Sequence, residues 1–288
     1  SLVRPHYKSD LERRFVAPLL ERLFGTWPDL AYAEAMRQGR LPANIEVHEF
    51  FLQAGQWLSN AAMQQSYASL SYSHVVAHLM RSGVNVLAQL VAPQPDGATS
   101  HISLSSNPDI ALDLKGYVDA RRKSARPVAV AVELNANLPY MPGIAEVPRT
   151  DLDIVLDPAA PHFDLFAPPK EPVSLADYAM ALHAATLVRD GGTLQIGIGS
   201  FADALTQALI LRHTHNARFR ELLARLGEPP ADGADLGPFE QGLYGSSEML
   251  VDGFLALRRA GVLKRRVEVE GQRALVHAGF FLGNRAFY

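Results

Sequence analysis

The sequence contains no cysteine among its 288 residues. Disulfide bonds, zinc sites built from cysteine and a thiol nucleophile are therefore excluded. A chain without disulfides is typical of a reducing compartment, and we predict a cytoplasmic location. The histidines do not suggest a metal site either, because His74 and His78 lack the acidic residue that a zinc-protease helix carries between its two histidines. We therefore expect no metal.

Neither sign of charge dominates, and long hydrophobic runs are missing. The 27 Lys and Arg residues nearly balance the 30 Asp and Glu residues, and the formal net charge is −3. Such a chain lacks the basic face with which proteins bind nucleic acid or anionic membranes. The longest apolar runs have the length of strands, so we expect no membrane-spanning segment and no signal peptide. The composition, with 48% hydrophobic and 20% charged residues, is that of a globular protein.

Short apolar segments alternate with helical ones along most of the chain. Residues 84–91 and 128–134 are nearly continuous apolar runs, as in parallel strands that are buried on both faces. Further strands are predicted at residues 45–52, 102–104, 153–156 and 193–196. Helices are predicted at residues 9–40 and 109–122, from the Ser174 cap up to Asp190, and at residues 201–211. This alternation predicts an α/β fold with mostly parallel sheets and right-handed crossovers.

A proline-rich segment divides the chain in two. It runs from Pro158 to Pro172, and we place a domain boundary there. Residues 1–165 are predicted to form an N-terminal lobe that begins with a helical segment, and residues 173–288 to form the start of a second lobe. Ligands of open α/β sheets bind beyond the carboxyl ends of the strands. Candidate site residues are therefore sought where predicted strands end.

The first candidate site follows the predicted strand at residues 193–196. Gly197 and Gly199 join this strand to a helix, and glycines there let backbone N–H groups approach an anion or an oxyanion at the helix N-terminus. A tight strand-to-helix turn explains the same glycines without any ligand. Ala202 stands where a dinucleotide-binding fingerprint has its last glycine, and no Walker lysine follows. Nicotinamide and ATP sites of these types are therefore excluded.

The second candidate is Glu248, within the sequence Tyr-Gly-Ser-Ser-Glu-Met-Leu-Val-Asp-Gly. We predict that this segment opens a helix running to about Ala260, with Glu248 in the first turn. The helix dipole would keep a carboxylate at that position ionised and available as a nucleophile. A plain helix start, capped by Ser246 or Ser247, explains the same pattern without any catalytic role.

The third candidate is the loop that follows the predicted strand at residues 128–134. It contains Asn135, Asn137, Pro139 and Pro142, and it lacks any hydrophobic period. Amides and proline rings of this kind could build a rigid loop that binds a substrate. An ordinary polar connection between two elements accounts for the same residues.

In this order along the chain, the three segments resemble the class I coenzyme A (CoA) transferases, in the branch of acetyl-CoA hydrolases and 4-hydroxybutyrate CoA-transferases. The family has an Asn- and Pro-rich loop after a strand of the N-terminal domain, then a strand ending in Leu-Gln-x-Gly-Ile-Gly, and finally Ser/Thr-Glu-Met followed by Ser-Asp-Gly or a similar triplet. The matching segments here are residues 135–142, 194–199 and 247–253. The similarity extends loosely from about Asn44 to the end of the chain.

The resemblance implies that Glu248 is a catalytic nucleophile. In the family, this glutamate takes the acyl group from an acyl-CoA and then forms a glutamyl-CoA thioester. A carboxylic acid as acceptor makes the enzyme an acyl-CoA:carboxylate CoA-transferase, whereas water makes it an acetyl-CoA hydrolase. CoA is then a substrate, and no metal or redox cofactor is implied. The residues expected at the oxyanion or the pantetheine of CoA are Gly197, Ile198, Gly199 and Ser200. The residues expected on the side of the acyl carboxylate are Asn135, Asn137 and Pro139.

Two departures from the family pattern accompany the resemblance. About thirty residues, 212–241, separate the helix after Gly-Ile-Gly from Glu248, which is more than compact members have. The family's later Gly-rich segment, which supplies an oxyanion contact and part of the CoA site, has no counterpart before Tyr288. The opening strand and helix of the first lobe are not recognised. The resemblance thus implies two tandem CoA-transferase-type lobes, the second incomplete, in a chain that is part of a longer protein.

Two other functions stay open at this point. If the incomplete second lobe lacks the oxyanion contacts, the chain would be a non-catalytic CoA- or nucleotide-binding α/β module. A regulatory or structural α/β protein would bind no CoA at all. The partners expected from the resemblance are an acyl-CoA and a small carboxylate, and the family implies a homo-oligomer.

Overall fold

A computed structural model describes residues 7, 9–25, 30–52, 55, 57–159, 162–165, 170–283 and 286–288. Among these residues lie nine α-helices and ten strands. The helices are α1 (Asp10–Phe24), α2 (Ala31–Arg37), α3 (Ala61–Gln65), α4 (Val75–Arg81), α5 (Asp109–Lys123), α6 (Leu175–Leu187), α7 (Ser200–Thr214), α8 (Asn216–Arg225) and α9 (Asp252–Arg259). The strands are β1 (Val86–Pro93), β2 (His101–Ser103), β3 (Ala129–Leu134), β4 (Glu146–Pro148), β5 (Ile154–Leu156), β6 (Thr193–Leu194), β7 (Tyr244–Leu250), β8 (Val267–Val269), β9 (Gln272–Ala274) and β10 (Val276–Phe281).

The chain divides into two compact units, the first comprising residues 1–87 and 113–129 and the second residues 88–112 and 130–288. The first unit contains α1 to α4 and most of α5. A small core in this unit joins α2 to α3 through Met36, Trp57 and Met63. The Asn60 side chain accepts a hydrogen bond from the Met63 N–H at 2.9 Å and donates to the Met36 carbonyl at 3.1 Å. One side chain thus caps α3 and ties it to α2.

The second unit contains a five-stranded sheet with the strand order β4-β2-β1-β3-β5. Strands β3 and β5 run parallel, whereas β2 pairs antiparallel with both β1 and β4. The two apolar runs predicted from the sequence form β1 and β3, which lie side by side near the middle of this sheet. The core of the sheet is formed by Val91, Ile102, Leu104, Val132 and Leu134.

A second sheet in the same unit carries the candidate site. Its order is β10-β7-β6, and both pairings are parallel. Helix α7 packs against α6, α8 and α9. Ser174 and Asp177 form the capping box that begins α6, as the predicted cap requires. Large buried side chains of this core are Leu209, Phe219, Phe239, Leu243, Phe254 and Leu257.

Three of the predicted elements are wrong. The helix predicted at residues 9–40 is not continuous, because α1 ends at Phe24 with Gly25 as its cap and α2 begins at Ala31. Residues 45–52 form no strand; in this part of the chain the structure records an isolated bridge between Glu49 and Tyr67. The helix predicted to open around Glu248 begins only at Asp252, because the preceding residues form β7. β7 is the central strand of a parallel sheet, so its backbone hydrogen bonds are supplied by two neighbouring strands rather than by a helical turn.

The α/β class predicted from the sequence is confirmed. The predicted boundary between residues 165 and 173 stays a prediction, because residues 160, 161 and 166–169 of the proline-rich segment lie outside the described residues. No helix in the described ranges is both long and apolar enough to span a bilayer.

Candidate active site

The glycine turn lies where the chain leaves β6 and enters α7. Gly199 precedes the helix with a φ of 116°, in the left-handed region that glycine adopts without strain. Gly197 has no heavy atom within 4 Å of the place where a Cβ would stand, apart from its chain neighbours. The two glycines therefore leave open space at the N-terminus of a 15-residue helix.

A cavity of about 390 Å³ opens at this end of the parallel sheet. Its lining includes residues 196–199 of the glycine turn and residues 251–253 at the start of α9. Ala202, Asp203 and Thr206 of α7 contribute further wall. The volume lies within the range of pockets that hold small molecules. The position, beyond the carboxyl ends of parallel strands, is where α/β sheets bind their ligands.

A cluster of three charged side chains lies in the cavity lining. Lys170 Nζ is 3.2 Å from Asp203 Oδ1 and 3.1 Å from Asp252 Oδ2. Partial burial acts to lower the pKa of Lys170, but the hydrogen bonds to Asp252 and Asp203 outweigh it and raise that pKa. The two aspartates stand in the first turns of α9 and α7, where the helix dipole favours a negative charge. In the described part of the chain, no group of three or more His, Asp or Glu side chains is placed to hold a metal ion.

Glu248 lies in the middle strand, β7, and not in the first turn of a helix. The predicted helix-dipole environment is therefore wrong for this residue, and the helix-cap explanation of Ser246 and Ser247 is wrong with it. The Glu248 side chain is exposed and makes no hydrogen bond or ion pair with the other described residues. It does not line the cavity. The carboxylate is thus open to a ligand from solvent.

The strand register gives the neighbours of Glu248 on one side. β6 and β7 pair residues that are 51 positions apart, and the Ser247 hydroxyl donates to the Ile196 carbonyl at 3.1 Å with the same separation of 51. β6 itself ends at Leu194, and the residues that follow the Ile196–Ser247 contact on the two segments are Gly197 and Glu248. Because Gly197 also lines the cavity, it connects the carboxylate with the cavity.

A second glycine lies on the other side of Glu248. β10 pairs Ala278 with Ser247 and Phe280 with Met249, so Gly279 stands opposite Glu248. A Cβ on Gly279 would lie 3.4 Å from the backbone oxygen of Glu248. Directly opposed residues on adjacent strands normally place their side chains next to each other. Glycine on both flanks therefore keeps the space around this carboxylate free.

The Asn-Pro loop uses its amides within the protein. The Asn135 side chain is buried, accepts a hydrogen bond from the Asn137 N–H at 2.9 Å and donates to the Phe163 carbonyl at 3.2 Å. The Asn137 side chain donates to the same carbonyl at 2.9 Å. The Pro139 carbonyl accepts from the Ser105 hydroxyl at 2.7 Å. These hydrogen bonds tie the loop to the residues around it, while a rigid, substrate-binding role of the loop stays a prediction.

Hydrogen bonds link this loop to the end of β10 beside the cavity. Ser105, which holds Pro139, is buried and has a φ of 55°, a conformation that is uncommon for a residue other than glycine. The next carbonyl, that of Ser106, accepts a hydrogen bond from the Phe281 N–H at 3.2 Å. The following residue, Leu282, lines the cavity. The three predicted segments thus lie in one connected part of the second unit, although they do not form a single pocket.

Sequence reasoning missed several residues of this region. Asp203 and Asp252 carry a signal, since each is an acid in the first turn of a helix that follows a strand of the same sheet. The local sequence gives no such signal for Lys170, which belongs to the proline-rich segment. It gives none for Gly279 either, which is placed opposite Glu248 only by the register of β10 with β7. A predicted strand order would have been needed to find them.

Comparison with known proteins shows similarity to CoA transferases. Over 174 residues the chain is 27% identical to 4-hydroxybutyrate coenzyme A transferase of Clostridium kluyveri, covering 60% of this chain and 32% of that protein. Over 171 residues it is 26% identical to succinyl-CoA:cyclohexane-1-carboxylate CoA transferase of Geobacter metallireducens, covering 58% of this chain and 35% of that protein. The matched segments therefore span about a third of the length of these curated relatives. No model of a protein family matches the chain.

Solved structures show the same fold. RipA from Yersinia pestis superposes with a TM-score of 0.58 over 84% of this chain and 48% of that chain, at 19% identity. A 4-hydroxybutyrate CoA-transferase from Porphyromonas gingivalis superposes with a TM-score of 0.54 over 89% of this chain and 56% of that chain, at 20% identity. The chain is thus similar to CoA transferases in sequence and in fold, and the resemblance predicted from its three segments is confirmed.

Proposed function

We propose that this chain carries the nucleophile of an acyl-CoA:carboxylate CoA-transferase and that Glu248 is this nucleophile. The setting of Glu248 carries the proposal: an exposed carboxylate on the central strand, with Gly279 opposite it on β10 and Gly197 in the segment that continues from β6. The similarity to two CoA transferases supports the reaction class. Both relatives are much longer than the matched segments, so the activity is proposed for the protein in which this chain acts.

The flanking glycines matter because of the size of a thioester. A nucleophilic oxygen must come within about 3 to 3.5 Å of the carbonyl carbon before the reaction can start. Neighbouring strands lie about 4.8 Å apart, so side chains beside Glu248 would fill the space that the thioester needs. Gly197 and Gly279 remove those side chains. The N–H groups of the glycine turn at the start of α7 are then available for the oxyanion or for the pantetheine of CoA.

The proposed reaction uses the Glu248 carboxylate as its nucleophile and involves no proton transfer to carbon. A Glu248 oxygen attacks the thioester carbonyl, the carbon–sulfur bond breaks, and the CoA thiolate leaves a mixed anhydride behind. The thiolate attacks the glutamyl carbonyl and releases the first acyl group as a carboxylate, which gives the glutamyl-CoA thioester. An acceptor carboxylate then runs the same two steps in reverse. The new acyl-CoA leaves, and Glu248 is again a free carboxylate.

Hydrolysis is a second candidate, favoured by the exposure of Glu248. Water that reaches the glutamyl-CoA thioester would release CoA without a second acyl group, and the chain would act as an acetyl-CoA hydrolase. In either case the Asn135 and Asn137 amides would act by fixing the loop through Phe163, and Pro139 by fixing its position on Ser105. A CoA-binding module without catalysis would share the cavity but not the reaction.

The first experiment compares the protein with its Glu248→Gln variant. Both are incubated with acetyl-CoA and with succinyl-CoA, with and without acetate, and intact mass and CoA release are measured. We expect a mass increase of one bound CoA in the unchanged protein and none in Glu248→Gln, because the amide is not a nucleophile. Turnover should fall by at least about a thousandfold, as for other nucleophiles that are removed. Consumption of succinyl-CoA that depends on acetate would identify a transferase, because the CoA then passes to the acetate. Release of free CoA without acetate would identify a hydrolase.

A matched variant controls for the loss of one negative charge. Glu221 on α8 is exposed and ion-paired with Arg218 and Arg225, away from the cavity lining. Glu221→Gln should therefore keep the adduct and the turnover. CoA binding without any adduct would support the module instead, and an adduct that persists in Glu248→Gln would assign the nucleophile to another residue.

A further inference from the structure

The cavity lining combines apolar and acidic side chains, which the proposed role of Glu248 as nucleophile does not explain. Glu248 stands outside this lining, whereas Gly197 belongs to the lining and follows Ile196, whose carbonyl accepts a hydrogen bond from the Ser247 hydroxyl next to Glu248. A thioester whose carbonyl carbon reaches Glu248 can therefore extend a substituent past Gly197 into the cavity. The substituents of that carbon are the CoA sulfur and the acyl chain.

The uncharged part of the lining offers an apolar surface. Ile196, Val251 and Leu282 contribute aliphatic side chains. The hydroxyl of Thr206 is already used, since it donates to the Ala202 carbonyl at 2.9 Å within α7. The wall is tightly packed at Gly253, because a Cβ there would lie 2.7 Å from both Ile196 Cδ1 and Thr206 Oγ1. These residues leave no unused side-chain donor for a polar ligand group.

The charged part of the lining is acidic. Lys170 contributes one positive charge, and Glu171, Asp203 and Asp252 contribute three negative charges, so the formal sum is +1 − 3 = −2. Both of the ion-pair contacts of Lys170 go to Asp203 and Asp252, and these aspartates also occupy the positive N-terminal ends of α7 and α9. Two carboxylates of the protein therefore already offset part of the positive potential at this end of the sheet.

From the apolar wall and the acidic cluster together, we infer that this cavity receives the acyl chain and selects short uncharged acyl groups over acyl groups that carry a second carboxylate. The inference rests on the proposed function, because it names the acyl group that Glu248 would accept. Each methylene group that enters an apolar cavity strengthens binding by about fourfold. A second carboxylate meets a lining of net negative charge, in which Lys170, the one cation among the described lining residues, is already paired with two aspartates, and this disfavours it.

The test measures kcat/KM for acetyl-CoA, butyryl-CoA and succinyl-CoA. We expect butyryl-CoA to exceed acetyl-CoA by roughly fifteenfold, as two more methylene groups are buried, and to exceed succinyl-CoA by at least about tenfold because of charge repulsion. The double variant Asp203→Asn/Asp252→Asn should reduce the preference for butyryl-CoA over succinyl-CoA several-fold, whereas Glu221→Gln should leave it unchanged. Ala202→Leu, which narrows the cavity on a helix that tolerates leucine, should abolish the advantage of butyryl-CoA over acetyl-CoA.

Binding to the Glu248→Gln variant separates this inference from the proposed function. Dissociation constants of butyryl-CoA and succinyl-CoA for that variant, measured by calorimetry, give the selectivity of the cavity without turnover. A protein that prefers butyryl-CoA in binding but forms no adduct would overturn the proposed function alone. Turnover without preference, or with a preference for succinyl-CoA, would overturn the assignment of the cavity alone.

Discussion

Two charge clusters in the second unit, one around Arg212 and one around Lys170, use similar groups for different purposes. Arg212 is fully buried, pairs with Asp235 at 2.8 Å and lies 4.4 Å from the centre of the Phe239 ring. It also donates to three backbone carbonyls at 2.5 to 2.7 Å, those of Ala185, Val188 and Gly237. The Lys170 side chain is 55% exposed and contacts two carboxylates in the lining of a cavity.

The difference between the clusters separates a structural role from a binding role. Every contact of Arg212 goes to the end of α6 or to residues 235–239, so this side chain fastens the long segment 212–241 onto the second unit. The Arg212 Nε and Nη1 atoms donate to backbone carbonyls and Nη2 is ion-paired with Asp235, so this fully buried guanidinium is engaged by the protein itself and not by a ligand. Lys170 and its partners face open volume, where a ligand can change their surroundings. Burial, and contact with backbone carbonyls instead of open volume, therefore distinguish the two clusters better than charge does.

The largest expected effect comes from breaking the Arg212 cluster. Arg212→Met should lower the free energy of unfolding by about 3 to 5 kcal/mol, because it leaves Asp235 without its cation and three carbonyls without their donor. Urea unfolding followed by circular dichroism measures this. Arg218→Met, which removes an exposed ion pair with Glu221 on α8, is the matched control and should cost less than about 1 kcal/mol. Equal losses for both variants would contradict the structural role of Arg212.

The same cluster should respond to acid. The Asp190 carboxylate accepts hydrogen bonds from four N–H groups at 2.8 to 3.0 Å, those of Gly191, Glu240, Gln241 and Gly242. Burial acts to raise the pKa of Asp190, but these hydrogen bonds outweigh it and lower that pKa. For Asp235, burial likewise acts to raise the pKa, and hydrogen bonds from the Asp190 and Gly237 N–H groups together with the Arg212 charge lower it.

A lowered folded-state pKa fixes the sign of the pH dependence. The unfolded carboxyl titrates near pH 3.9, so the contribution of Asp190 to stability is complete above about pH 4 and is lost as the pH falls through the lower folded-state pKa. We expect the urea concentration at the midpoint of unfolding to decrease as the pH is lowered below about 4. This decrease should be smaller in Asp190→Asn. Asp232→Asn, at an exposed carboxylate of the same segment, is the matched control. An unchanged acid slope in Asp190→Asn would rule out Asp190 as its source.

The sequence predicts those parts of the fold whose cause is local. The apolar composition of residues 86–93 and 129–134 predicts strands β1 and β3. The capping box at Ser174 predicts where α6 begins. Residues 45–52 alternate like a strand, but no partner strand pairs along them. Residues 244–250 have little strand character, yet β6 and β10 on either side hold them extended. Both predictions failed because strand pairing determines these two structures, and strand pairing cannot be predicted from the local sequence.

The candidate site divides in the same way. The glycine turn before α7 is predictable, because a strand-to-helix turn needs a residue with the φ of Gly199. The importance of Glu248 follows from its resemblance to a family, whereas its true setting depends on Gly197 and Gly279, which only the register brings beside it. Lys170 reaches Asp203 and Asp252 across 33 and 82 positions of the sequence. Such contacts require the tertiary fold.

The smallest expected effect on stability comes from breaking the Lys170 cluster. Lys170→Met should change the free energy of unfolding by less than about 1 kcal/mol, since exposed ion pairs contribute little and both aspartates keep their favourable places at helix N-termini. Urea unfolding beside Arg212→Met makes the comparison with the same introduced residue. A loss as large as that of Arg212→Met would mean that Lys170 fastens the chain at α7 and α9. The cluster would then have a structural role, and its carboxylates would no longer be available to select an acyl group.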